Sequence, residues 1–322
     1  MFKRTWSYLL VILAILFISM TSFGAEKKYP TKGIKVICPW GAGGGTDSVL
    51  RAVSASAEKI LGTTLTVENK TGGSGAIGHS AIKNAKPDGY TIGMITFELN
   101  SLPQQGLIDF TYADFIPIAL INADAAALTV KADAPYNTVA EFVEYAKKNP
   151  GTISIGNSAP GSVWHIGAGL LANATGIDVK HVAFEGAANA VTALAGGHIQ
   201  AVSVSLAEVK SQLDAGAVKV LGIMDTKRPE LYPNIPTFKE QGYDITYYTW
   251  RGIGVPKGTD PEIVKILEDA FEKASKDEEF IKIAASLNLN LRHMNSEDFG
   301  KFLKENFESV TKTLKETKLL DD

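Results

Sequence analysis

Five stretches hold residue types from which a site could be built: PWGAGGGTD (39–47), TGGSGAIGH (71–79), FELN (97–100), GNSAPGSVWH (156–165) and FEGAANA (184–190). They are rich in glycine, hydroxyls and acids, and none contains a lysine or arginine. Where such a stretch opens a helix, its first N–H groups lack intrahelical partners and the helix dipole favours negative charge. An anion can then be held by backbone amides without a full counter-charge. Three chemistries compete for that seat: a nucleotide phosphate, a reacting oxyanion, and a small ligand that is bound and released unchanged.

The first two fit poorly. A phosphate-binding loop of the nucleoside triphosphate type needs a lysine after its last glycine, and none follows here. Gly41-Ala42-Gly43-Gly44-Gly45-Thr46 approaches a dinucleotide fingerprint, with Glu68 where a ribose-binding acid would stand. The motif ends in threonine, however, and Pro39-Trp40 breaks the usual tight turn. A serine hydrolase would use Ser158 or Ser162 with His165. GNSAPG is not a nucleophile elbow, because Pro160 takes the place of the closing glycine, and Ser162 reads better as a helix N-cap. The five histidines (79, 165, 181, 198 and 293) are scattered without metal-ligand spacing, so neither metal nor cofactor is expected.

The elements that must position these stretches alternate between strand and helix. GIKVICP, TLTVEN and TIGMITF read as strands, and TDSVLRAVSASAEKILG as a helix. In that helix Val49, Leu50, Val53, Ala57 and Ile60 share a face, and Gly62 stands at the C-terminal stop. The pattern restarts with two strand-like pieces in IPIALINADAAALTVKADAPY. A helix follows, with Thr138 and Glu141 as a capping box, then TISIGNS, IDVKHVAF, HIQAVSVSL and VKVLGIM as strands separated by helices. The final third, from DPEIVKILEDAFEKASKDEEF, reads as mainly amphipathic helix with Pro261 at N1. The expected fold class is α/β, with two domains and the ligand cleft between them. Residues 25–124 and 246–322 are expected to form domain 1, and residues 125–245 domain 2. Ligands in such open sheets bind at the strand C-termini.

Compartment and partners follow from the ends and the charge. Lys3 and Arg4 precede the apolar run YLLVILAILFISM, and Ser22 and Gly24 fit the cleavage site of a secretory signal peptide over residues 1–24. Its removal takes the formal charge from −3 to −5. That weak acidity argues against nucleic acid as a partner. No later segment is long and apolar enough to cross a membrane, so an exported, monomeric protein without stable membrane insertion is expected. The one cysteine, Cys38, has no internal disulfide partner and reads as core.

The order of PWGAGGGTD, ENKTGGSGAIG, AKPDGYTIGMIT, GNSAPGSVWHIGAGLL, VAFEGAANAVTALAGGHIQAVSVSL and YPNIPTFKEQGY resembles the Bug or TctC family, the substrate-binding proteins of tripartite tricarboxylate transporters. The resemblance runs from Tyr29 to near the C-terminus. It implies a two-domain periplasmic-binding-protein fold (type II-like), capture of a small carboxylate (dicarboxylate, carboxylic acid or amino acid) in the periplasm and delivery to membrane transporter subunits, with no catalytic residue. The family grips a ligand carboxylate with backbone amides and ordered water. Mapped by motif, Trp40, Ala42, Gly43, Gly44, Thr46 and Asp47 belong to a first clamp, with Phe97 after the third strand. Asn157, Ser158, Gly161, Ser162 and His165 belong to a second clamp, and Phe184, Gly186, Ser203 and Ser205 to the floor. An aspartate placed at Gly43 is expected to fill the first amide nest.

Two departures bear on the ligand. Phe184-Glu185-Gly186 stands where many members read Tyr-Lys-Gly, and Val204 where many carry an aspartate. With Asp47 and Glu98 this makes an acid-rich cleft, which disfavours a ligand as negative as citrate unless it also carries an ammonium. The alternatives from other classes are the exported hydrolase above and a ligand-sensing subunit for a receptor kinase.

Overall fold

Strands β1 (Ile34–Cys38), β2 (Leu65–Asn69) and β3 (Thr91–Thr96) lie parallel in the order β2–β1–β3, with helices α1 (Gly45–Leu61) and α2 (Ala76–Lys83) in the connections. This computed structural model describes residues 29–317, so the signal-peptide reading lies outside the described residues. From Lys32 onward the chain belongs to one compact unit. Helix α1 forms because Val49, Leu50, Val53 and Ala57 recur at helical spacing and are wholly buried. Ile60, assigned to the same face, is 39% exposed. Gly62 ends the helix at φ +64°, donating its N–H to the Glu58 carbonyl at 3.0 Å.

A single sheet of ten strands runs through the molecule in the order β2–β1–β3–β9–β4–β7–β5–β6. Its axis is β4 (Phe115–Lys131), which the sequence splits into two pieces and the structure joins into one strand. Register shifts between Pro117 and Ala119 and between Leu120 and Asn122 accommodate the proline. The strand is long because it serves two halves. Through Ala125 it pairs antiparallel with β9 (Tyr248–Pro256), and beyond that with β7 (Ala201–Ser205) and β8 (Val218–Ile223). Strands β7, β5 (Ser154–Asn157) and β6 (Lys180–Ala183) then repeat a parallel unit.

Helices α4 (Val139–Lys148), α5 (Val163–Thr175), α6 (Ala187–Ala195) and α7 (Leu206–Asp214) belong to this second half. Thr138 caps α4 by accepting from Glu141 N–H, but the Glu141 carboxylate accepts from Asn137 N–H rather than closing the box on Thr138. The tail supplies α8 (Pro261–Ser275), α9 (Glu278–Ser286) and α10 (Ser296–Thr317). Pro261 sits in the first turn of α8, as read. The reading of the tail as mainly helix omits β10 (Leu291–Met294), which pairs with β4. Four residues are too few to show a period. The tail docks through aromatics: Trp250 packs edge-on to Phe299 at 5.7 Å and donates its indole N–H to Asn306 at 2.8 Å. No helix among the described residues is long and apolar enough to cross a membrane.

Candidate functional site

The first glycine loop leads from β1 into α1. Gly78 lets α2 pack against its Pro39 corner, where a Cβ would lie 2.4 Å from the proline Cα. Gly43 adopts φ +78° and donates its N–H to Asp47 at 3.0 Å. Asp47 also takes the Arg51 guanidinium at 3.0 Å and the Asn69 amide at 2.8 Å, and Asn69 in turn donates to the Trp40 carbonyl. Burial pushes the Asp47 carboxyl up, but the Arg51 hydrogen bond, with those of Gly43 and Asn69, outweighs it and holds the group below the usual aspartate value. Asp47 thus ties the loop to β2. Gly44 is the N-cap of α1 at φ −77°, ψ 170°, and no side chain caps this helix.

The loop after β5 is built differently. Ser162 caps α5, accepting from His165 N–H at 3.5 Å and from the Ser158 hydroxyl at 2.8 Å, and donating to the Ala159 carbonyl. His165 Nδ1 accepts the Gly161 N–H at 3.1 Å, and burial, then His181, lowers its pKa to about 4. With Nδ1 accepting, the neutral ring carries its proton on Nε2, so the nitrogen a hydrolase would use as its base is a donor here. Glu98, which opens the short helix α3 (Glu98–Ser101), reaches across from the other half and accepts Val163 N–H at 3.1 Å. Its second oxygen accepts the Thr96 hydroxyl at 2.5 Å, and Thr96 also meets His79 Nε2 at 3.2 Å. Burial raises the Glu98 carboxyl above the usual glutamate value despite these donors. Burial alone holds His79 neutral, at a pKa of about 3.

Between these loops lies an open cavity of about 560 Å³, a figure that includes its solvent-filled mouth. From the sequence-derived set, Trp40, Ala42, Gly44, Thr46, Ser158 and Gly186 line it. Gly43 and Asp47 stand behind the loop, and Gly161, Ser162 and His165 brace the start of α5. Phe97 is buried edge-on to Tyr247 at 5.7 Å. Asn157 and Ser203 are also buried, and their side-chain polar atoms have no hydrogen-bond partner. Phe184 lies at the level of Gly156, and Ser205 joins Glu208 in a capping box on α7.

The sequence reading left out Thr96, Trp164, Glu208, Thr249 and Arg251, all of which line the cavity. Arg251 matters most. It is 2% exposed, bonded to Asp124 at 2.6 Å and Thr46 at 2.9 Å, with Glu208 at 3.6 Å. The cavity therefore does contain a full positive charge, delivered by β9 rather than by a loop. Burial raises Glu208 above the usual glutamate value, with Arg251 opposing. Helix α6, entered from Gly186, lacks a side-chain cap as α1 does. Among the described residues no cluster of His, Cys, Asp and Glu could hold a metal ion.

The family model for the tripartite tricarboxylate transporter family receptor (TctC) matches residues 49–319. The chain belongs to this receptor family. Its fold is that of the TctC/Bug periplasmic solute-binding proteins, which are not enzymes. A Cupriavidus necator relative, named as a UPF0065 protein in the gbd 5′ region, is 31% identical over 89% of this chain and 88% of its own length. A TctC solute-binding protein from Polaromonas, solved without ligand, is 40% identical, with a TM-score of 0.69 over 89% of this chain and 99% of that one. An R. palustris protein solved with adipate is 25% identical, with a TM-score of 0.86 over 90% of this chain and 98% of that one. The cavity in this chain is framed by two helix starts without side-chain caps, a buried guanidinium and three glutamates.

Proposed function

We propose that this protein captures a small carboxylate (a dicarboxylate, another carboxylic acid or an amino acid) outside the cytoplasm and hands it unchanged to the membrane subunits of a tripartite tricarboxylate-type transporter. The observation that carries the reading is the pair of helix starts, α1 at Gly44 and α6 at Gly186, that meet in one cavity without a side-chain cap. Unpaired amides at two helix N-termini suit a carboxylate, and no nucleophile or base is needed. The adipate found with the R. palustris relative agrees with this chemistry.

The described residues up to 124, with those from 246 on, act as one domain and residues 125–245 as the other, hinged where β4 exchanges β9 for β7. A ligand touching both domains favours the closed state by the contacts it adds there. Superposition supports such movement: the ligand-free Polaromonas protein fits less well than the adipate complex although it is more identical. Titration calorimetry with short mono- and dicarboxylates and amino acids tests the reading, together with mass spectrometry of the released ligand. Saturable binding with intact ligand recovered is expected, and turnover of the ligand would overturn it.

A further inference from the structure

We propose, resting on the carboxylate reading above, that the ligand also carries a cationic nitrogen and that Glu98 is the residue that reads it. The charges in the cavity are unevenly shared. Arg251 is committed to Asp124 at 2.6 Å, with Glu208 at 3.6 Å on its other side, so two acids already share one guanidinium. Glu98 and Glu185 line the same cavity; the field of Arg251 reaches Glu98, but no ion pair joins the two. Glu98 is 1% exposed, and the partners of its carboxylate are the Thr96 hydroxyl and Val163 N–H, which carry no formal charge. A buried carboxylate without a counter-ion is costly, and a ligand that brings only more carboxylate adds to that cost. A ligand ammonium removes it.

The cavity divides accordingly. The uncapped starts of α1 (Gly45, Thr46) and α6 (Gly186) line the cavity, and their amides receive the carboxylate. Glu98 borders the cavity beside Thr96, to which the Trp40 indole N–H also donates at 3.5 Å, and this acid receives the cationic nitrogen. Glu98 also fills the first amide of α5 itself, at Val163, so that helix start offers its acid to the cavity rather than an empty anion seat.

The charge logic has a titration signature. The groups around Glu98 are His79 through Thr96, Tyr247, and Arg251 and Glu208 within the cavity. His79 is held neutral, and burial with the field of Glu98 keeps Tyr247 protonated. Burial favours the protonated form of Glu98 before the ligand enters. A bound ammonium draws that carboxyl back to its ionised form, so binding releases a proton and tightens as pH rises. A ligand that instead accepts a hydrogen bond from protonated Glu98 weakens as pH rises.

Calorimetry with pairs sharing a carbon skeleton tests the proposal: aspartate against succinate, glutamate against glutarate, γ-aminobutyrate against butyrate. The amino member of at least one pair is expected to bind about ten- to a hundredfold tighter than its partner, the range of one charge-assisted contact. Proton release in buffers of different ionisation enthalpy should accompany it. E98Q is expected to collapse the amino-to-plain ratio and the proton release together, a result that a merely structural role would not give. E185Q, at the exposed mouth, lowers the ratio less and keeps the test standing should E98Q not fold. Plain acids binding as tightly as their amino partners would overturn the inference and leave the carboxylate reading intact. Silence toward all six acids, with a non-acidic ligand recovered from the purified protein, would remove both.

Discussion

Two helix starts face each other across the cavity, and the chain treats them differently. Helix α1 begins at Gly44 with no side-chain cap, and Asp47 of its first turn faces back to Gly43, Arg51 and Asn69. Helix α5 begins at Ser162 with its hydroxyl on His165 N–H, and Glu98 from the other half sits on Val163 N–H. Both are loops rich in small residues that open a helix. One leaves its dipole to an incoming anion, and the other has that role filled from within. Loop composition therefore marks where an anion could sit, while side-chain partners decide whether the seat is open.

The largest expected effect comes from the charge beside the open seat. Replacing Arg251 with methionine leaves Asp124 and Glu208 buried without their cation, and should cost about 3–5 kcal/mol in urea unfolding. A loss below about 1 kcal/mol would show that this network is not held as described. Next, Gly44→Asp converts the open start into a self-capped one, because the extended backbone there suits an aspartate N-cap. Ligand affinity is expected to fall about 100-fold, or about 2.7 kcal/mol, while stability rises by a few tenths of a kcal/mol. Unchanged affinity by calorimetry would take α1 out of the site. The structure moves this test from Gly43, whose amide already serves Asp47 and whose φ of +78° strains any side chain.

On the closed side, Ser162→Ala removes a cap and should cost about 1 kcal/mol in the same unfolding assay. The smallest effect is a trend with pH. Burial raises Glu98 above its unfolded value, so its contribution to stability is complete below the ordinary glutamate pKa of 4.5 and is lost as pH rises through the folded value. Glu98→Gln, neutral throughout, should therefore gain in melting temperature relative to the native protein as pH rises. A flat difference across that range would mean that Glu98 is ionised in the fold at no cost.

Much of the architecture was legible because hydrophobic period and punctuation report local structure directly. Val49, Leu50, Val53 and Ala57, Gly62, Ser162 and Pro261 all stand in the roles their spacing implies. Strand β9 was not legible: YTWRGIGVP alternates poorly, being buried along nearly its whole length between β3 and β4. Its arginine was missed with it. A basic residue inside a strand between Trp250 and Ile253 was the available signal, and it becomes informative only once Asp124 and Glu208 are known to lie beside it.

By itself the sequence determined the family, the α/β alternation, the glycine loops and the excess of acids near the cleft, because each of these is written in local residue types and their order. Tertiary structure alone decided which loop is open to an anion, that Glu98 closes the start of α5, and that Arg251 charges the cavity. These depend on groups 65 to 205 residues apart in the chain, brought within hydrogen-bond distance by the sheet. No local pattern encodes such pairings, because the forces that select them act through space and not along the chain.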